Sequence, residues 1–502
     1  MTENSKTQSS RFVTGRFLRS YTAAIDRIHY GDFAVSFGSA DYELSRALPK
    51  VRNKVRAMAR NSGTGKRYIQ LLKDNVVGEN GFRLQVRVRR GDGMPDRQLN
   101  ERVEEAWRLF CTAPTTDGIM DMIEVQKQMV GTWARDGEYI IEIVHDASAP
   151  DGFRLNPVEG DILDETLNTV YPPTKNQIKM GVEIDRFGRP VAYHFLNQHP
   201  GDTVWQAPLS TRRYRRVTAD RVIHIYERLR PGQTRGEPPA SAVPNGVKML
   251  DGYREAEVTG RRIKSSAMGF AIEHFDADSG PGAGLDGMAD RQDEVTDDFE
   301  MDMEPGTIKK LPRGYDFKQF DPGGAMTDYA QFEGQVKSDI SMGLNISPVS
   351  LGYETAKLSY STHRGIVAED REYYSGLQSF FIRMGINRIF TYWLKNHLLN
   401  PVSSVPPTRF MAVLAAFKFM SRGWDQIDPT KDTQAENDQL AARTTSLSRI
   451  AAKRGMSRDE LLDEIEDDER ALAERGLTQS LGGGNKPPNN MQDTGGAADG
   501  TA

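Results

Sequence analysis

Residues 345–364 read NISPVSLGYETAKLSYSTHR, a polar stretch that separates two amphipathic helical patterns. Before it, apolar residues recur at intervals of three and four, which places them along one side of a helix of about five turns: Tyr329, Phe332, Val336, Ile340 and Leu344. Pro348 prevents this helix from continuing, and Gly352 permits backbone conformations that other residues resist. The stretch is therefore predicted to be a loop that helices fix at both ends.

The second helical pattern is unusually long. Ser359 or Ser361 is a suitable N-cap, and the pattern continues to about Leu399. Its predicted inward-facing residues are apolar or aromatic: Ile366, Tyr373, Leu377, Phe380, Phe381, Met384, Ile389 and Trp393. Periodicity alone is equally consistent with an ordinary helical hairpin in a protein core, so the pattern by itself assigns no function.

The overall composition limits the class of protein. A chain of 502 residues is long enough for several domains, and its formal net charge of −5 does not suit a protein that coats nucleic acid. The single cysteine, Cys111, excludes a disulfide framework and suits a reducing compartment. No apolar run approaches the length of a membrane span, and residues 1–10 lack an apolar signal core. We therefore expect neither a membrane association nor export by a signal peptide.

Charge is distributed unevenly along the chain. Basic residues gather in three clusters, and such a cluster is more often a solvated surface than a binding site. The clusters are Arg52, Lys54, Arg56 and Arg60; Arg83, Arg87, Arg89 and Arg90; and Arg212, Arg213, Arg215 and Arg216. Residues 290–304 form an acidic run in which Arg291 is the only counter-charge. That run is predicted to be either a solvating loop or a docking surface.

The first 235 residues alternate between helical and strand patterns. Helices are predicted over residues 45–78, 98–110 and 123–135, and the first of them ends at Gly78. Strands are predicted over residues 82–88, 138–145, 178–184, 190–196 and 222–226. Asp185 and Gly188 supply turn chemistry for a hairpin between two of these strands. This region is therefore predicted to be an α+β body.

The region that follows is predicted to be a helix, an acidic insertion and a second helix. The first helix, residues 240–270, contains Gly252 and Gly260, which weaken it and suggest the close approach of another helix. A strand pair is predicted at residues 306–308 and 315–317, at the end of the insertion.

The end of the chain is predicted to be helical over residues 405–475, including the apolar residues Phe417 and Phe419. Ser457 and Glu460 form a capping-box pattern at the start of its last, highly charged helix. Beyond Gly476 the sequence has low complexity and is predicted to be disordered.

This order of elements resembles that of lambda-type portal proteins of tailed phages. The resemblance covers roughly residues 45–475. Five segments are similar to portal segments: KDNVVGENGFRLQ, WARDGEYIIE, RVIHIYERLRPGQTRGEP, SDISMGLNISPVSLGYETAKLSYSTHR and RGWDQIDPTKDTQAE. Six residues match the surroundings of the family's tunnel loop: Gly343, Pro348, Leu351, Ser359, Tyr360 and Ser361. The joint order of these segments is more specific than any one short motif.

The resemblance implies an α+β portal-protein fold that assembles as a ring. Its expected parts are an N-terminal arm at residues 1–44, a wing at 45–237, a first stem helix at 238–272, an acidic clip at 273–325, a second stem helix at 326–345, a tunnel loop at 346–362, a long wing helix at 363–404, a helical crown at 405–476 and a disordered tail at 477–502.

The resemblance also implies a structural function without catalysis or a cofactor. Portal proteins of this type form a dodecameric ring at the unique vertex of the virion head, and double-stranded DNA passes through it without sequence recognition. The implied partners are the large terminase subunit during packaging, the head-completion or adaptor and tail proteins afterwards, and the major capsid and scaffold proteins. The ring would be assembled in the host cytoplasm and would later serve as the exit for DNA ejection.

Two groups of site residues follow from the resemblance. The tunnel loop facing DNA comprises Ser350, Leu351, Gly352, Tyr353, Glu354, Thr355, Ala356, Lys357 and Leu358. The clip surface that docks terminase and adaptor proteins comprises Asp290, Asp293, Glu294, Asp297, Asp298, Glu300, Asp302 and Glu304. Lys357 is the only basic residue between Lys337 and Arg364, so it is the candidate contact to DNA phosphate, although a lone loop lysine more often faces solvent.

Enzymatic hypotheses have weaker support. Residues 62–68, SGTGKRY, are similar to a nucleotide-binding phosphate loop, but Arg60 stands where the first glycine is required and Arg67 replaces the magnesium-binding Ser or Thr. The histidines are scattered and Cys111 stands alone, so no zinc-ligand spacing is present. Another minor capsid protein, or a DNA-packaging ATPase or nuclease subunit, is the alternative function.

Overall fold

A computed structural model describes residues 38–169, 176–202, 214–265, 269–273, 315–319, 329–353, 359–400, 403, 405–424, 434, 437–453 and 458–475. These residues form a mixture of helices and antiparallel sheets, which confirms the predicted α+β class. The chain divides into two compact units, Met1–Arg422 and Gly423–Ala502.

The helices of the first unit are α1 (Ala40–Asn61), α2 (Gly63–Leu72), α3 (Arg97–Cys111), α4 (Met122–Asp136), α5 (Pro244–Ser265), α6 (Tyr329–Leu344), α7 (Tyr360–Phe381), α8 (Asn387–Leu399) and α9 (Phe410–Ala416). Two π-helical segments, Lys73–Val77 and Ile382–Ile386, extend α2 and join α7 to α8. The second unit contains α10 (Leu447–Lys453) and α11 (Arg458–Glu474).

The strands are β1 (Arg83–Val86), β2 (Glu138–His145), β3 (Phe153–Val158), β4 (Gln177–Lys179), β5 (Val182–Ile184), β6 (Pro190–Leu196), β7 (Tyr214–Thr218), β8 (Val222–Tyr226), β9 (Gly269–Glu273), β10 (Tyr315–Gln319) and β11 (Phe417–Met420). All pair antiparallel, in one sheet of order β3-β2-β8, one of order β4-β5-β6-β7, and two pairs, β1-β11 and β9-β10. The first two sheets share an apolar core that includes Ile140, Phe195 and Val222.

Local interactions fix the ends of α4, which was predicted over residues 123–135. Asp121 Oδ1 accepts from the backbone N–H of Glu124 at 2.7 Å, and Glu124 Oε2 accepts from the N–H of Asp121 at 3.1 Å. Such a capping box satisfies donors that a helix start leaves unpaired. Gly137 ends the helix with φ +87°, and a Cβ there would lie 2.3 Å from the carbonyl carbon of Glu237. Glycine is therefore required at the junction that leads into β2.

The predicted long helix is confirmed, with one refinement. Ser359 caps α7 by accepting from the N–H of Thr362 at 3.2 Å, and the helix continues through the π segment to Leu399. Its aromatic side chains bury against the body: Trp393 is fully buried and meets Trp107 of α3 edge-on at 5.2 Å between ring centroids. This aromatic packing fixes the long helix onto the α+β body.

The strand predictions for the body were incomplete. The strand predicted over residues 178–184 is two strands, because Met180 and Gly181 adopt φ values of +46° and +81° and turn the chain between β4 and β5. The predicted hairpin between β5 and β6 is confirmed, with Gly188 at φ +77° in its turn. Strands β3 and β7 were not predicted.

The region around the acidic insertion also differs from prediction. The helix predicted over residues 240–270 ends at Ser265, and residues 269–273 form β9, which pairs with β10. The predicted strand at residues 315–317 is confirmed within β10, but its partner is β9. The partner proposed from sequence, residues 306–308, lies outside the described residues.

Phe417 and Phe419 are not helical, contrary to the prediction. They lie in β11, which pairs with β1 in the register Leu84 to Phe419 and Val86 to Phe417. Their rings pack on Phe390 of α8 at 4.6 and 5.8 Å. The periodicity failed here because a short apolar run fits either a helix or a buried strand, and pairing with a distant strand decided between them.

Candidate functional site

The described start of the predicted loop, residues 345–353, is a compact turn that we call the anchored loop. The backbone N–H of Leu351 donates to the carbonyl of Ser347 at 3.1 Å, and the N–H of Tyr353 donates to the carbonyl of Pro348 at 2.9 Å. Gly352 has φ +85°, a conformation that favours glycine. The chain therefore folds back on itself directly after α6 ends.

Asp370, on α7, holds the anchored loop from one side. Its Oδ1 accepts from the backbone N–H of Ser347 at 3.0 Å, and its Oδ2 accepts from the hydroxyls of Ser347 at 2.6 Å and Ser350 at 2.5 Å. Asp370 is buried, and hydrogen bonds to an ionised acceptor are roughly twice as strong as neutral ones. The long helix thereby fixes the beginning of the loop that precedes it.

A second set of contacts holds the end of the anchored loop. The hydroxyl of Tyr353 is hydrogen-bonded to the hydroxyl of Thr64 on α2, and Arg67 Nη2 donates to the carbonyl of Ser350 at 3.5 Å. Lys337 Nζ, on α6, lies 5.4 Å from the centroid of the Tyr353 ring, within cation-π distance. Burial raises the pKa of Tyr353, which keeps its phenol neutral.

Helices α5 and α6 form a pair that is joined by charge and by aromatic contact. Glu333 of α6 accepts from Arg254 Nη2 of α5 at 2.7 Å and lies 3.1 Å from Lys337 Nζ. Burial alone would raise the pKa of Glu333, but hydrogen bonds and charge from Arg254 and Lys337 outweigh it and lower that pKa. The rings of Tyr253 and Phe332 meet at 5.0 Å.

The glycine that permits close packing of this pair is Gly343. A Cβ at Gly343 would lie 2.6 Å from Cγ2 of Val243, which directly precedes α5. By contrast, a Cβ at Gly252 or Gly260 would meet no atom within 4 Å among the described residues. The predicted close approach at Gly252 and Gly260 is therefore wrong within the part of the chain described, and the tight contact is at the opposite end of α5.

The structure describes four of the nine predicted tunnel-loop residues. Gly352 is exposed and Tyr353 is half-buried, whereas Leu351 is buried, with 6% of its surface exposed, and the Ser350 hydroxyl is bound to Asp370. The Leu351 side chain is therefore covered within this chain, and its assignment to the DNA-facing loop stays a prediction. The other five lie outside the described residues: Glu354, Thr355, Ala356, Lys357 and Leu358. All eight predicted clip acids also lie outside them.

Sequence reasoning missed a buried ion network in the α+β body. Glu138, at the start of β2, accepts from Arg52 Nη2 at 3.0 Å and from Arg235 Nη2 at 2.5 Å, and all three side chains have no exposed surface. Arg235 also donates to the carbonyls of Leu163 and Gly160 at 2.8 Å. Arg52, which was assigned by sequence to a basic surface cluster, therefore belongs to the core.

The electrostatics of this network follow from its pairing. Burial alone would raise the pKa of Glu138, but the charge and hydrogen bonds of Arg235, together with His224, hold that pKa well below its usual range. Glu138 is therefore a carboxylate in the folded protein. One signal in the sequence pointed to it: β2 reads EYIIEIVH, and acids in an otherwise apolar buried strand need buried partners.

The other basic residues around β7 are also paired. Arg215 Nη2 donates to Glu142 Oε2 at 2.7 Å, and Arg216 Nε donates to Glu183 Oε2 at 2.8 Å. These side chains support the sheet rather than forming a separate cationic surface, so the positive charge they contribute is largely neutralised.

The segment that is similar to a nucleotide-binding loop is helical. Gly63, Thr64, Gly65 and Lys66 lie in the first turns of α2. A Cβ at Gly65 would lie 2.5 Å from the carbonyl oxygen of Met58, so this glycine allows α1 and α2 to pack. The backbone N–H of Lys66 donates to the carbonyl of Ser62 at 3.0 Å, so this segment is the start of a helix and not a glycine-rich loop between a strand and a helix.

Three potential metal ligands, Glu159, Asp161 and His199, lie within 4.8 Å of one another. Asp161 is already paired with Arg52 at 3.0 Å and with Arg56 at 2.5 Å. Two guanidinium groups on one of the three ligands oppose the binding of a cation.

Among the described residues, none of the helices combines the length and apolar character that crossing a bilayer requires.

Comparisons with known proteins identify the family of this chain. A family model described as phage portal protein, lambda family, matches residues 30–378. The chain is 28% identical over 452 residues to the probable portal protein of Halomonas phage phiHAP-1, covering 89% of this chain and 85% of that protein. It is 24% identical over 428 residues to portal protein B of Escherichia phage lambda, covering 79% of each.

The chain also has some similarity to chains of solved gene transfer agent particles. A chain from the neck of an empty particle, computed with C6 symmetry, has a TM-score of 0.41 and 14% identity, covering 84% of this chain and 95% of that chain. Because the lambda-family model spans more than half of the sequence, the chain belongs to the lambda family of phage portal proteins.

Proposed function

We propose that this chain forms a ring-shaped DNA channel at the unique vertex of a tailed-phage head. In this role it docks the packaging motor, then the head-completion and tail proteins, and later serves as the exit for DNA. The observation that carries the proposal is the anchored loop, which Asp370 and Thr64 hold between α6 and α7 in a chain of the portal family. Helices α5 and α6 are the proposed stem.

The proposed assembly is a dodecamer in the virion, built in the host cytoplasm. Apolar side chains that remain exposed on the stem pair support contact with neighbouring copies: Met249 at 75%, Val258 at 48%, Phe332 at 48% and Met342 at 71%. Exposed apolar groups gathered on one helix pair are typical of an association surface.

Within the tunnel loop, the proposed DNA contact narrows to residues 354–358. The preceding residues are held by Asp370, Thr64 and Arg67, so they serve as a base for the segment that follows. Lys357 supplies the one positive charge there. A single basic residue per copy suits a moving polymer, because each phosphate contact adds affinity that must be broken at every step.

A packaging assay tests this role of Lys357. We expect Lys357→Glu to lower the rate of DNA packaging or the retention of packaged DNA, because it reverses the charge that faces phosphate. Lys395→Glu, an exposed lysine on α8, is the matched control. Unchanged velocity and retention in Lys357→Glu would count against the contact while leaving the channel proposal intact.

The acidic residues at 290–304 are the proposed docking surface for the large terminase subunit and for the adaptor proteins. Exposed charge tunes recognition and association rate more than final affinity, which suits partners that bind in sequence. Reversal of Asp297, Asp298 and Glu300 is expected to abolish terminase capture in a pull-down while ring formation persists. Normal capture by the reversed variant would reject this surface and leave the alternative of a solvating loop.

The assembly itself is tested by native mass spectrometry and electron microscopy of the purified full-length chain. A ring of twelve copies with a central hole is expected. A stable monomer at micromolar concentration would contradict the channel and favour another role in the capsid. Hydrolysis of ATP is assigned to a partner, since residues 63–68 lie in α2, and absence of ATPase activity in the purified ring is the expected result.

A further inference from the structure

A cavity of about 550 Å³ lies between β1, α3 and the start of α4, and we call it the β1 groove. The residues that line it from one face of α3 recur at helical spacing and include three carboxylates: Glu101, Glu104, Glu105, Arg108 and Cys111. Apolar residues also line it: Phe82, Leu84, Trp107, Met122 and Ile123. The β1 groove therefore combines apolar side chains with acidic ones.

One edge of β1 faces this groove. In an antiparallel pair, residues that exchange hydrogen bonds with the partner strand alternate with residues whose backbone groups point away from it. The N–H of Arg87 donates to the carbonyl of Ala416 at 2.9 Å, in register with the β1–β11 pair. The odd-numbered residues of β1 therefore bond to β11, and the backbone groups of the even-numbered residues, such as Leu84, point to the other edge.

Side chains take the place of a neighbouring strand at two positions of that edge. Gln126 Oε1 accepts from the N–H of Phe82 at 2.8 Å, and Glu104 Oε1 accepts from the N–H of Val86 at 2.7 Å. Between these contacts, the N–H and carbonyl of Leu84 bond to no other group among the residues that the structure describes, and Leu84 is only half-buried. An edge residue of this kind is a template for pairing with another extended segment.

The groove determines the chemistry of a segment that would fit it. One extended residue opposite Leu84 can exchange both backbone hydrogen bonds with it, as peptides do when they add a strand to a sheet edge. Glu101 forms no ion pair with any described residue, and the Glu105–Arg108 pair is 3.5 Å long with side chains that are 66% and 77% exposed. The acids therefore favour basic side chains, and the apolar lining favours aromatic or aliphatic ones beside them.

We propose that residues 11–19 of this chain, RFVTGRFLR, dock in the β1 groove as an extended segment. Their three arginines supply the charge that Glu101 and Glu105 attract, and residues 4–25 contain no acid. Their apolar side chains match the apolar lining: Phe12, Val13, Phe17 and Leu18. Residues 20–37, which lead from this segment to the described start of the chain, can span up to about 60 Å when extended. The segment can therefore reach a groove that is distant from Gly38.

Charge distinguishes this segment from the two other stretches of more than twenty residues that lie outside the described ones. Residues 274–314 have a large excess of acids, which the carboxylates of the groove would repel. Residues 476–502 contain one lysine, two aspartates and no aromatic side chain. Neither stretch complements a groove that is both apolar and acidic.

Alkylation of Cys111 in the full-length protein tests the docking. Cys111 lines the groove and is the only cysteine of the chain, so its rate of reaction with a maleimide reports whether the groove is covered. Burial raises the pKa of this thiol, so all rates are compared at one fixed pH. The triple variant Arg11→Glu, Arg16→Glu, Arg19→Glu is expected to react at least about fivefold faster than the native protein, because attraction to the groove becomes repulsion. The matched control Arg11→Lys, Arg16→Lys, Arg19→Lys keeps the charge and is expected to react at the native rate.

A charge swap separates direct docking from an indirect effect. Glu101→Lys with Glu105→Lys reverses the charge of the groove, and adding the acidic triple variant to this background is expected to slow alkylation at least about threefold, because opposite charges face each other again. Both proteins carry the same residues around Cys111, so any effect of the lysines on the thiol cancels. Equal rates for the native and acidic segments in the native groove would overturn the proposal and leave the groove to another protein. A swapped protein that reacts as fast as its lysine background would overturn it as well.

Discussion

The Glu138 network and the anchored loop use charged hydrogen bonds in opposite settings. Glu138 binds Arg52 and Arg235 where all three side chains are inaccessible to water. Asp370 binds backbone and hydroxyl donors of Ser347 and Ser350 at the edge of a segment that leads to the proposed DNA contact. The first arrangement joins strands and helices that are distant in sequence, and the second holds one turn.

The difference shows where the fold tolerates change. A buried charge that loses its partner is left with the full cost of desolvation, so the network is expected to be essential for folding. The loop clamp is a smaller unit, and its loss leaves groups that water can reach after a local rearrangement. We therefore expect changes at Glu138 to affect the whole body and changes at Asp370 to affect the loop.

The largest effect is expected for Glu138→Gln. This change removes the buried carboxylate that Arg52 and Arg235 share, although Arg52 keeps Asp161 at 3.0 Å and Glu165 at 2.8 Å. It is expected to lower the free energy of unfolding by about 3–5 kcal/mol. Urea unfolding of the full-length protein would measure this change. Glu43→Gln is the control, because the Glu43–Arg230 pair is 36% and 51% exposed and such pairs contribute about 0–1 kcal/mol. If Glu138→Gln lowered the free energy of unfolding by less than about 1 kcal/mol, the buried network would be no more important for folding than an exposed ion pair.

An intermediate and local effect is expected for Asp370→Ala. Removal of this acceptor is expected to destabilise the anchored loop by about 1.5–3 kcal/mol, the range for hydrogen bonds to a charged group. Faster amide exchange at Ser347 and Leu351, and faster tryptic cleavage after Lys357, would report it. Glu369→Ala removes an exposed acid one residue away and should leave both rates unchanged. Equal rates in the two variants would show that Asp370 does not hold the loop.

Alanine substitutions at two glycines of the α5–α6 pair are expected to change stability in opposite directions. Gly343→Ala introduces a Cβ 2.6 Å from Val243 and is expected to cost about 1–3 kcal/mol, as overpacking does. Gly252→Ala meets open space in an α-helix and is expected to stabilise it by about 0.5–1 kcal/mol. Thermal unfolding of both variants would measure these two changes in stability. Destabilisation by Gly252→Ala would instead place a neighbouring copy against that position.

The smallest effect concerns the pH dependence of a peripheral pair. Hydrogen bonding from Arg216, above all, lowers the pKa of Glu183 to about 2 from about 4.5. A lowered carboxyl pKa contributes stability above pH 4.5 that is lost as pH falls towards 2. Because Arg216 is 46% exposed, this contribution is at most about 1 kcal/mol. In Glu183→Gln, the free energy of unfolding should fall less between pH 4.5 and pH 2, by at most about 1 kcal/mol. An unchanged pH dependence would show that the Glu183–Arg216 pair does not contribute to acid destabilisation.

Sequence patterns predicted most elements of the body. The limits of β2, β6 and β8 agree with the predicted strands at residues 138–145, 190–196 and 222–226. Gly78 and Ser359 mark the predicted helix end and start. These features rest on interactions within a few residues, which the sequence displays directly.

Residues whose role depends on contacts with distant parts of the chain could not be predicted from the sequence. Arg52 and Arg235 lie 86 and 97 residues from Glu138, and no local pattern distinguishes them from the exposed arginines nearby. Leu351 was assigned to a DNA-facing loop through the resemblance to portal proteins, and the structure shows that its side chain is buried within the chain. Phe417 and Phe419 fit a helical pattern in the sequence, and only their pairing with β1 shows that they lie in a strand. In each case the contact that decides the role joins distant parts of the chain.

By itself the sequence determined the family, through the similarity of its segments to those of lambda-type portal proteins. It also determined the α+β class, the long helix from Ser359 and the loop that precedes it, because helix caps, turn glycines and apolar periodicity act over short distances. The tertiary structure alone decided which charges are buried, that Asp370 holds the loop, and that Gly343 rather than Gly252 allows close packing. Burial and pairing depend on the three-dimensional neighbours of a side chain, and the order of residues along the chain does not specify those neighbours locally.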